Sequence, residues 1–397
     1  MKINCREVIE KLMEEALMST FFTSANCNRT PVYQNKSLRI IYRHSIHFAF
    51  LCKCVFLVAI FSLRYAAVKS QDLHFSQFFN SPLTTNPANT GFLPENDYRL
   101  GANYRQQWAS IPAQFKTISV FGDAQAFRDR FESGWVGLGG VILRDVAGSG
   151  NLTSTKVYGS AAYHQMLGST GLLSAGFNIG WANKRVDVTK FTYDNQWNGK
   201  FFDAGAPSGE NFAATNINYL DVQVGLNYAY FPSDNVYLHA GASVQHVNSP
   251  KESFFANTFD PNTGEAYDNA IARRYIAFAD AMLKLNDRVI ISPCAYFTTQ
   301  AKSRELTLGL HANYNLSGDG ETQLIAGLYY RHGDAAIPML GFQWKYVKLV
   351  FAYDATMSSL KNYNNMRGAS EFALLYNGFY NQYNQSLRST QCPVPKF

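Results

Sequence analysis

The chain has 397 residues, a formal net charge of +6, and 47% hydrophobic but only 16% charged residues. The first 70 residues hold ten of the 35 Lys and Arg residues and four of the 29 Asp and Glu residues, so equal numbers of basic and acidic residues (25 each) remain. This neutral remainder has no basic stripe, which argues against nucleic acid as a partner. Two cysteines remain beyond residue 54, Cys294 and Cys392. They are too few for a disulfide framework or a metal quartet, although one bridge between them stays possible.

Residues 1–70 have the features of a leader. The apolar run Ile46–Leu63 follows two arginines and precedes small residues before Gln71. This is the pattern of a secretory signal peptide, with its hydrophobic region at 46–63 and cleavage before Gln71. Lys53 within the run argues against a permanent membrane helix, but an uncleaved anchor remains an alternative. Residues before about 38 fit an over-extended start site.

Residues 71–96 form a polar segment that contains Asn86-Pro87-Ala88. Its two nearby prolines disfavour the helical conformation for the residues before them. We therefore expect this N-terminal segment to be ordered and extended. We also expect it to be periplasmic and to lie near the periplasmic mouth of the structure that residues 97–380 form.

Residues 97–380 alternate between apolar and small polar residues. In one example Leu173, Ala175, Phe177, Ile179 and Trp181 share one face, and Ser174, Gly176, Asn178 and Gly180 share the other. Such alternation over about ten residues, with few charges on the polar face, predicts a transmembrane antiparallel β-barrel. Aromatic residues at strand ends support it, since they belong at membrane interfaces.

The barrel is expected to have about 14 strands. They begin near Tyr98, Phe115, Trp135, Thr153, Gly171, Ile217, Val236, Arg273, Arg288, Glu305, Thr322, Ile337, Val347 and Glu371. The long connections, 184–216, 248–271 and 356–370, are the fifth, seventh and thirteenth. All three are odd-numbered, as outer loops must be when the first strand starts in the periplasm. The eighth strand alternates poorly. The last strand ends on Phe379-Tyr380, and 381–397 is expected to be a periplasmic C-terminal tail.

No catalytic motif occurs in the chain, so we expect no enzyme activity, no cofactor and no metal. By alternation, His164, His239 and His311 are expected to form hydrogen bonds in the lumen. Asp260-Pro261-Asn262-Thr263-Gly264-Glu265 resembles a calcium loop, but its glycine stands one position early, which favours a turn. Loop 184–216 carries six aromatic residues that either anchor a partner or fold back over the barrel. They are Phe191, Tyr193, Trp197, Phe201, Phe202 and Phe212.

The start of the segment resembles a known family. The matching residues are Gln71, Asp72, Phe75, Ser76, Gln77, Asn80, Pro82, Asn86, Pro87, Ala88 and Gly91, followed by Tyr104, Arg105, Gln107 and Trp108. Further matches are Gly137–Gly140 with Asp145 and Gly148, then Ala161–His164, and the closing Cys392-Pro393 and Lys396-Phe397. Together they resemble the PorP/SprF family of type IX secretion system proteins. Asn89 and Thr90 depart from the family pattern.

The resemblance implies an outer-membrane barrel of Bacteroidota that supports secretion or, in gliding species, surface display of adhesins. Its implied partners are outer-membrane lipid, the periplasmic ring with peptidoglycan-linked components, and C-terminal domains of exported cargo. The eleven matches at 71–91 and the four at 104–108 are the candidate partner-binding residues. The alternative function is an outer-membrane diffusion channel or hydrophobic-solute transporter.

Overall fold

The computed structural model describes residues 72–94, 96–109, 114–131, 133–148, 150–210, 212–254 and 269–380, with Pro395 and Phe397. All of them belong to one compact unit, Ala66–Phe397. The expected signal peptide, most of the expected tail, the turn at 260–265 and Cys392 lie outside the described residues. No helix among the described residues is long and apolar enough to cross a membrane.

Fourteen antiparallel strands form a closed barrel, in which each strand pairs with its sequence neighbours and β1 pairs with β14. The strands are β1 Tyr98–Gln107, β2 Phe115–Ala126, β3 Gly134–Ala147, β4 Leu152–Leu167, β5 Gly171–Arg185, β6 Asn216–Ser233, β7 Val236–Gln245, β8 Arg274–Asn286, β9 Val289–Gln300, β10 Ser303–Asn315, β11 Thr322–Arg331, β12 Ala335–Trp344, β13 Val347–Thr356 and β14 Arg367–Gly378. The predicted 14-strand barrel is confirmed. The poorly alternating eighth strand is present, and the last strand starts earlier than expected.

The helices are short. In chain order they are a 3-10 helix at Phe78–Asn80, α1 at Pro82–Thr85, 3-10 helices at Pro87–Asn89, Arg128–Arg130, Val188–Lys190 and Asp194–Gln196, and α2 at Lys361–Asn364. The first three precede β1, and the others lie in connections between strands.

The strand faces follow the alternation in the sequence. Phe177, Ile179 and Trp181 of β5 are each about half exposed on the outside, whereas Ser174 and Asn178 are buried inside. Because apolar side chains exposed all around a barrel match a lipid environment, the outer face is the one that contacts the membrane. The expected aromatic residues near strand ends also point outward, among them Tyr228 and Tyr314.

The connections distinguish the two ends of the barrel. The long connections 186–215, 246–273 and 357–366 join strands at one end of the barrel, as does every other odd-numbered connection. Even-numbered connections lie at the other end, and the longest of them is 127–133. In outer-membrane barrels short turns face the periplasm, so we call these the outer and the inner end respectively. The start of β1 and the end of β14 lie at the inner end.

Candidate functional site: the luminal segment

Residues 72–94, which we call the luminal segment, lie inside the barrel. At the outer end, the backbone N–H of Asp72 donates a hydrogen bond to Gln300, the last residue of β9, at 2.7 Å. At the inner end, the N–H of Asp97 donates to the carbonyl of Gly378, the last residue of β14, at 2.8 Å. The segment therefore runs through the lumen from the outer end to the inner end before β1 begins.

The expectation of an extended element near the periplasmic mouth was wrong in conformation and in place. The segment folds into three short helical turns, and its apolar side chains Phe75, Phe78, Leu83 and Ala88 are almost fully buried. Burying these side chains stabilises the segment by removing apolar area from water, and the lumen provides the required surface. The prolines occupy first-turn positions, where a missing N–H costs nothing.

The Asn86-Pro87-Ala88 motif builds one of these turns. The Asn86 side chain caps the 3-10 helix, because its Oδ1 accepts a hydrogen bond from the Ala88 N–H at 2.9 Å. Its Nδ2 donates to Asn227 Oδ1 on β6 at 2.7 Å, and to the carbonyl of Ala242 on β7 at 3.2 Å. A single side chain thus sets the local conformation and joins the segment to two strands.

Glycines in the barrel wall provide room for this turn. A Cβ at Gly225 would lie 1.9 Å from Asn86 Oδ1, and one at Gly176 would lie 2.6 Å from the carbonyl oxygen of Pro87. A Cβ at Gly137 would lie 1.9 Å from the carbonyl oxygen of Thr90. Glycine is needed where another backbone approaches a strand this closely. These three glycines of β3, β5 and β6 therefore form the recess that accepts residues 86–90.

Ser76 is held by an ionic cluster formed by Arg105, Arg331, Asp354 and Glu371, which we call the clamp. The Ser76 hydroxyl accepts hydrogen bonds from both arginines at 2.6 Å and donates to Asp354 at 2.8 Å. Glu371 accepts the backbone N–H groups of Ser76 and Gln77, each at 2.9 Å. Hydrogen bonds to charged groups are stronger than neutral ones, so this is the most tightly held part of the segment.

The clamp residues also pair with one another across strands β1, β11, β13 and β14. Arg105 lies 2.8 Å from Asp354 and 3.0 Å from Glu371, and Arg331 lies 3.1 Å from Asp354. All four side chains are almost fully buried. Buried charges require such partners, because an unpaired ion inside a protein costs several kcal/mol (on the order of 3–5).

The clamp lies where the barrel wall is irregular. On one side of β13, the β12 residues Ile337 and Pro338 form no pairs with β13, and proline has no N–H to donate. On its other side, the register against β14 shifts between Asp354 and Ala355. Asp354 thus lies between two interruptions of the hydrogen-bond ladder. Its bonds to Ser76 and the two arginines hold the wall together from inside.

Two titratable residues lie at the outer end of the segment. Burial holds the pKa of His74 at about 4, although Glu305, 3.3 Å away, acts in the opposite direction. Burial alone would raise the pKa of Asp72, but Lys156 and His246 lower it well below its usual value. At neutral pH His74 is therefore neutral and Asp72 is charged.

Aromatic rings pack between the luminal segment and the strands. Phe79 stacks on His311 at a centroid distance of 5.2 Å, and Phe92 stacks on His239 at 4.8 Å. His164 Nε2 lies 2.8 Å from the carbonyl oxygen of Thr90. The luminal position expected for the three histidines is confirmed, and each of them contacts the luminal segment.

The structure brings most of the residues named from sequence into this one site. Gln71 lies outside the described residues, and the next ten candidates, from Asp72 to Gly91, all belong to the luminal segment. Of the later candidates, Arg105 is in the clamp and Gln107 is 3.5 Å from it, whereas Tyr104 is on the outward face and Trp108 follows β1.

The partners of the segment on the later strands were not predicted from the sequence. They are Asn227, Arg331, Asp354, Glu371 and the recess glycines. The three charged partners, Arg331, Asp354 and Glu371, could have been found from the sequence. Each stands on the polar face of a strand where the other residues are mostly uncharged. A single charge in such a position indicates a buried ionic partner.

The long loop between β5 and β6 was expected either to anchor a partner with its aromatic residues or to fold them back over the barrel. Much of its aromatic surface is exposed and does not fill the lumen. Trp197, Phe201 and Phe202 are 57%, 60% and 45% exposed. Phe191 and Tyr193 are partly buried and contact each other.

Cys294 is a free thiol buried on the luminal side of β9. Among the described residues no group of three or more His, Cys, Asp or Glu side chains could hold a metal ion.

These features define the class of protein. It is a transmembrane β-barrel of the outer membrane, with an apolar exterior and a lumen occupied by the segment that precedes its first strand. Residues 67–376 match the family described as type IX secretion system membrane protein PorP/SprF. The chain therefore belongs to the PorP/SprF family.

No curated protein matches the sequence. Similar solved structures include the Ralstonia pickettii toluene transporter TbuX, at 12% identity and a TM-score of 0.45, over 76% of this chain and 94% of that chain. A Pseudomonas aeruginosa FadL homologue has 12% identity and a TM-score of 0.44, over 74% and 92%. The TodX deltaS2S3 mutant monoaromatic hydrocarbon channel has 9% identity and a TM-score of 0.44, over 75% and 93%. These similarities concern the barrel fold alone.

Proposed function

We propose that this chain is a non-enzymatic component of the type IX secretion system that supports secretion and surface anchoring of exported proteins or adhesins. In this role the barrel is a fixed platform in the outer membrane, and it contacts the periplasmic ring and the C-terminal domains of cargo. The observation that supports a platform over an open channel is the luminal segment. It crosses the whole barrel and is bonded to strands on all sides.

The alternative is a diffusion channel or a transporter of hydrophobic solutes. An open channel needs a continuous aqueous path, whereas the residues from Asp72 to Gly91 occupy the barrel between its two ends. Solute flux through the isolated barrel at the rate of a general porin would contradict the platform function.

The experiment is affinity purification of the tagged protein from solubilised outer membranes, combined with a secretion assay. We expect co-purification of secretion components or exported C-terminal domains. Recovery of neither would contradict the proposal.

Asn86→Ala removes the cap and the bond to Asn227, so we expect normal barrel insertion and impaired secretion or surface display. Asn235→Ala, in an exposed inner turn, is the matched control. Normal secretion by Asn86→Ala at normal barrel levels would assign the motif a purely structural role.

A further inference from the structure

A cavity of about 460 Å³ lies at the outer end of the barrel, directly above the start of the luminal segment. Asp72 and His74 form its floor, and Phe115 and Leu143 line its side from β2 and β3. The size is that of a small-molecule site, and the walls combine apolar side chains with a few polar groups, as ligand sites do. The platform function assigns nothing to this cavity.

Most charges around the cavity are matched within the protein. Lys156 donates hydrogen bonds to both carboxylate oxygens of Asp72, at 3.0 and 2.7 Å. His246 lies between two carboxylates, 3.0 Å from Asp72 and 2.9 Å from Asp221. Burial disfavours the charged imidazole, but the hydrogen bonds to these two carboxylates outweigh burial and raise the pKa of His246. Both basic side chains of this group are therefore already bonded to its two carboxylates.

The other cations at the cavity are matched as well. Lys184 is paired with Glu252, and Arg105 is held by its carboxylate partners in the clamp. Asp145 is different. Its carboxylate accepts a hydrogen bond from the Thr117 hydroxyl at 2.7 Å, and no Lys, Arg or His among the described residues lies within ion-pair distance of it. Among the described residues, the Asp145 carboxylate at the cavity thus has no ion-pair partner.

The position of Asp145 in the sheet directs its carboxylate into the cavity. Asp145 stands opposite Thr117 in the ladder between β2 and β3, and Thr117 is buried on the luminal side. Residues directly opposite each other in a ladder share a face, so Asp145 also points inward. Its strand neighbours on that face, Leu143 and Ala147, line the same cavity and supply apolar surface beside the carboxylate.

Two aromatic rings complete the wall. Trp108 and Phe115 line the cavity and pack edge to face, with ring centroids 5.1 Å apart. Trp108 has a φ of 57°, which is uncommon for a residue with a side chain, and its N–H donates to the Gly368 carbonyl at 2.8 Å. Aromatic faces also attract cations.

We propose that the outer cavity binds a small organic cation, whose ammonium group pairs with Asp145 and whose apolar body packs against Trp108 and Phe115. An anion finds no free partner there, because the surrounding cations are already paired. An uncharged apolar molecule leaves the Asp145 carboxylate without compensation.

The test measures binding of phenethylamine to the full mature protein in detergent, by calorimetry or by Trp fluorescence. We expect saturable binding, with phenethyl alcohol and phenylacetate at least about tenfold weaker, which is the contribution of one charge-assisted hydrogen bond. Asp145→Asn is expected to lower the affinity for phenethylamine by at least about tenfold and to leave the affinity for the alcohol unchanged. Asp319→Asn, in an inner turn at the far end of the barrel, is the control and should bind as the wild type does.

The comparison of amine, alcohol and acid on the wild-type protein needs no variant, so it decides the matter even if Asp145→Asn fails to fold. Equal affinity for the amine and the alcohol would overturn the proposal. So would the absence of saturable phenethylamine binding up to ~10 mM, or full retention of that binding in a folded Asp145→Asn barrel. None of these outcomes affects the secretion platform, which is tested by co-purification.

Discussion

Replacing Ser76 with alanine should release the luminal segment without unfolding the barrel. The Ser76 hydroxyl makes three short contacts with charged groups of the clamp, two from arginines and one to Asp354. A hydrogen bond to a charged group contributes about 1.5–3 kcal/mol, and the arginines keep their carboxylate partners in the variant. We therefore expect docking of the segment to weaken by about 3 kcal/mol, roughly a 100-fold increase in the equilibrium constant for release.

The native thiol of Cys294 gives a direct assay of this release. Cys294 is buried on the luminal side, in one apolar cluster with Phe78 of the segment. In a Cys392→Ser background, a water-soluble maleimide should modify Cys294 slowly in the wild type and faster in Ser76→Ala, approaching the 100-fold ratio if opening and reclosing are fast relative to labelling. Heat-modified migration in gels checks that the barrel remains folded. The control is Ser169→Ala, in an exposed inner turn. Equal labelling rates of Cys294 in a folded Ser76→Ala barrel and the wild type would refute the role given to the clamp.

Two further changes test the recess and the outer end of the segment. Gly225→Ala places a Cβ 1.9 Å from Asn86 Oδ1, so the turn must move. We therefore expect Cys294 to be labelled at least about tenfold faster than in the wild type. The control is Gly159→Ala, in which the nearest neighbour of the new Cβ would lie at 3.9 Å, and Cys294 should be labelled at the wild-type rate. Labelling of Gly225→Ala at the wild-type rate would show that the recess does not position the segment. Acidification acts through His74, whose pKa falls from 6.5 when free to about 4 when docked, so its contribution to docking is complete above pH 6.5 and is lost as the pH falls towards 4. Between pH 7 and 5 this loss is about 2 kcal/mol, and channel openings in planar bilayers should become about 20-fold more frequent, with a clearly weaker pH dependence in His74→Gln. The same pH dependence in both proteins would rule out His74 as its origin.

The barrel could be predicted from the sequence because its physical cause is local. Neighbouring residues of a strand face opposite sides, so one strand such as Leu173–Trp181 already separates a lipid face from a luminal face. The parity of the long connections then supported the number of strands and gave the direction of each. The structure moved the ends of strands by at most a few residues, with Glu371 as the largest difference.

The content of the lumen could not be predicted in this way, because it depends on contacts between residues far apart in sequence. Ser76 meets Arg105, Arg331 and Asp354 only after the barrel has closed. Alternation places each charged side chain on the inner face, but it does not say which residue lies opposite. The glycines of β3, β5 and β6 likewise look like ordinary small residues of a polar face until the backbone of residues 86–90 lies against them.

The sequence by itself determined the class of this protein, because strand alternation and the residues between Gln71 and Trp108 are properties of short stretches. Only the tertiary structure decided that the segment with Asn86-Pro87-Ala88 lies inside the barrel, and that Asp145 faces an outer cavity with no Lys, Arg or His of the described residues within ion-pair distance. The physical reason is the same for both. Burial and ion pairing depend on the closed barrel, which joins the first strand to the last and encloses side chains that the sequence keeps apart.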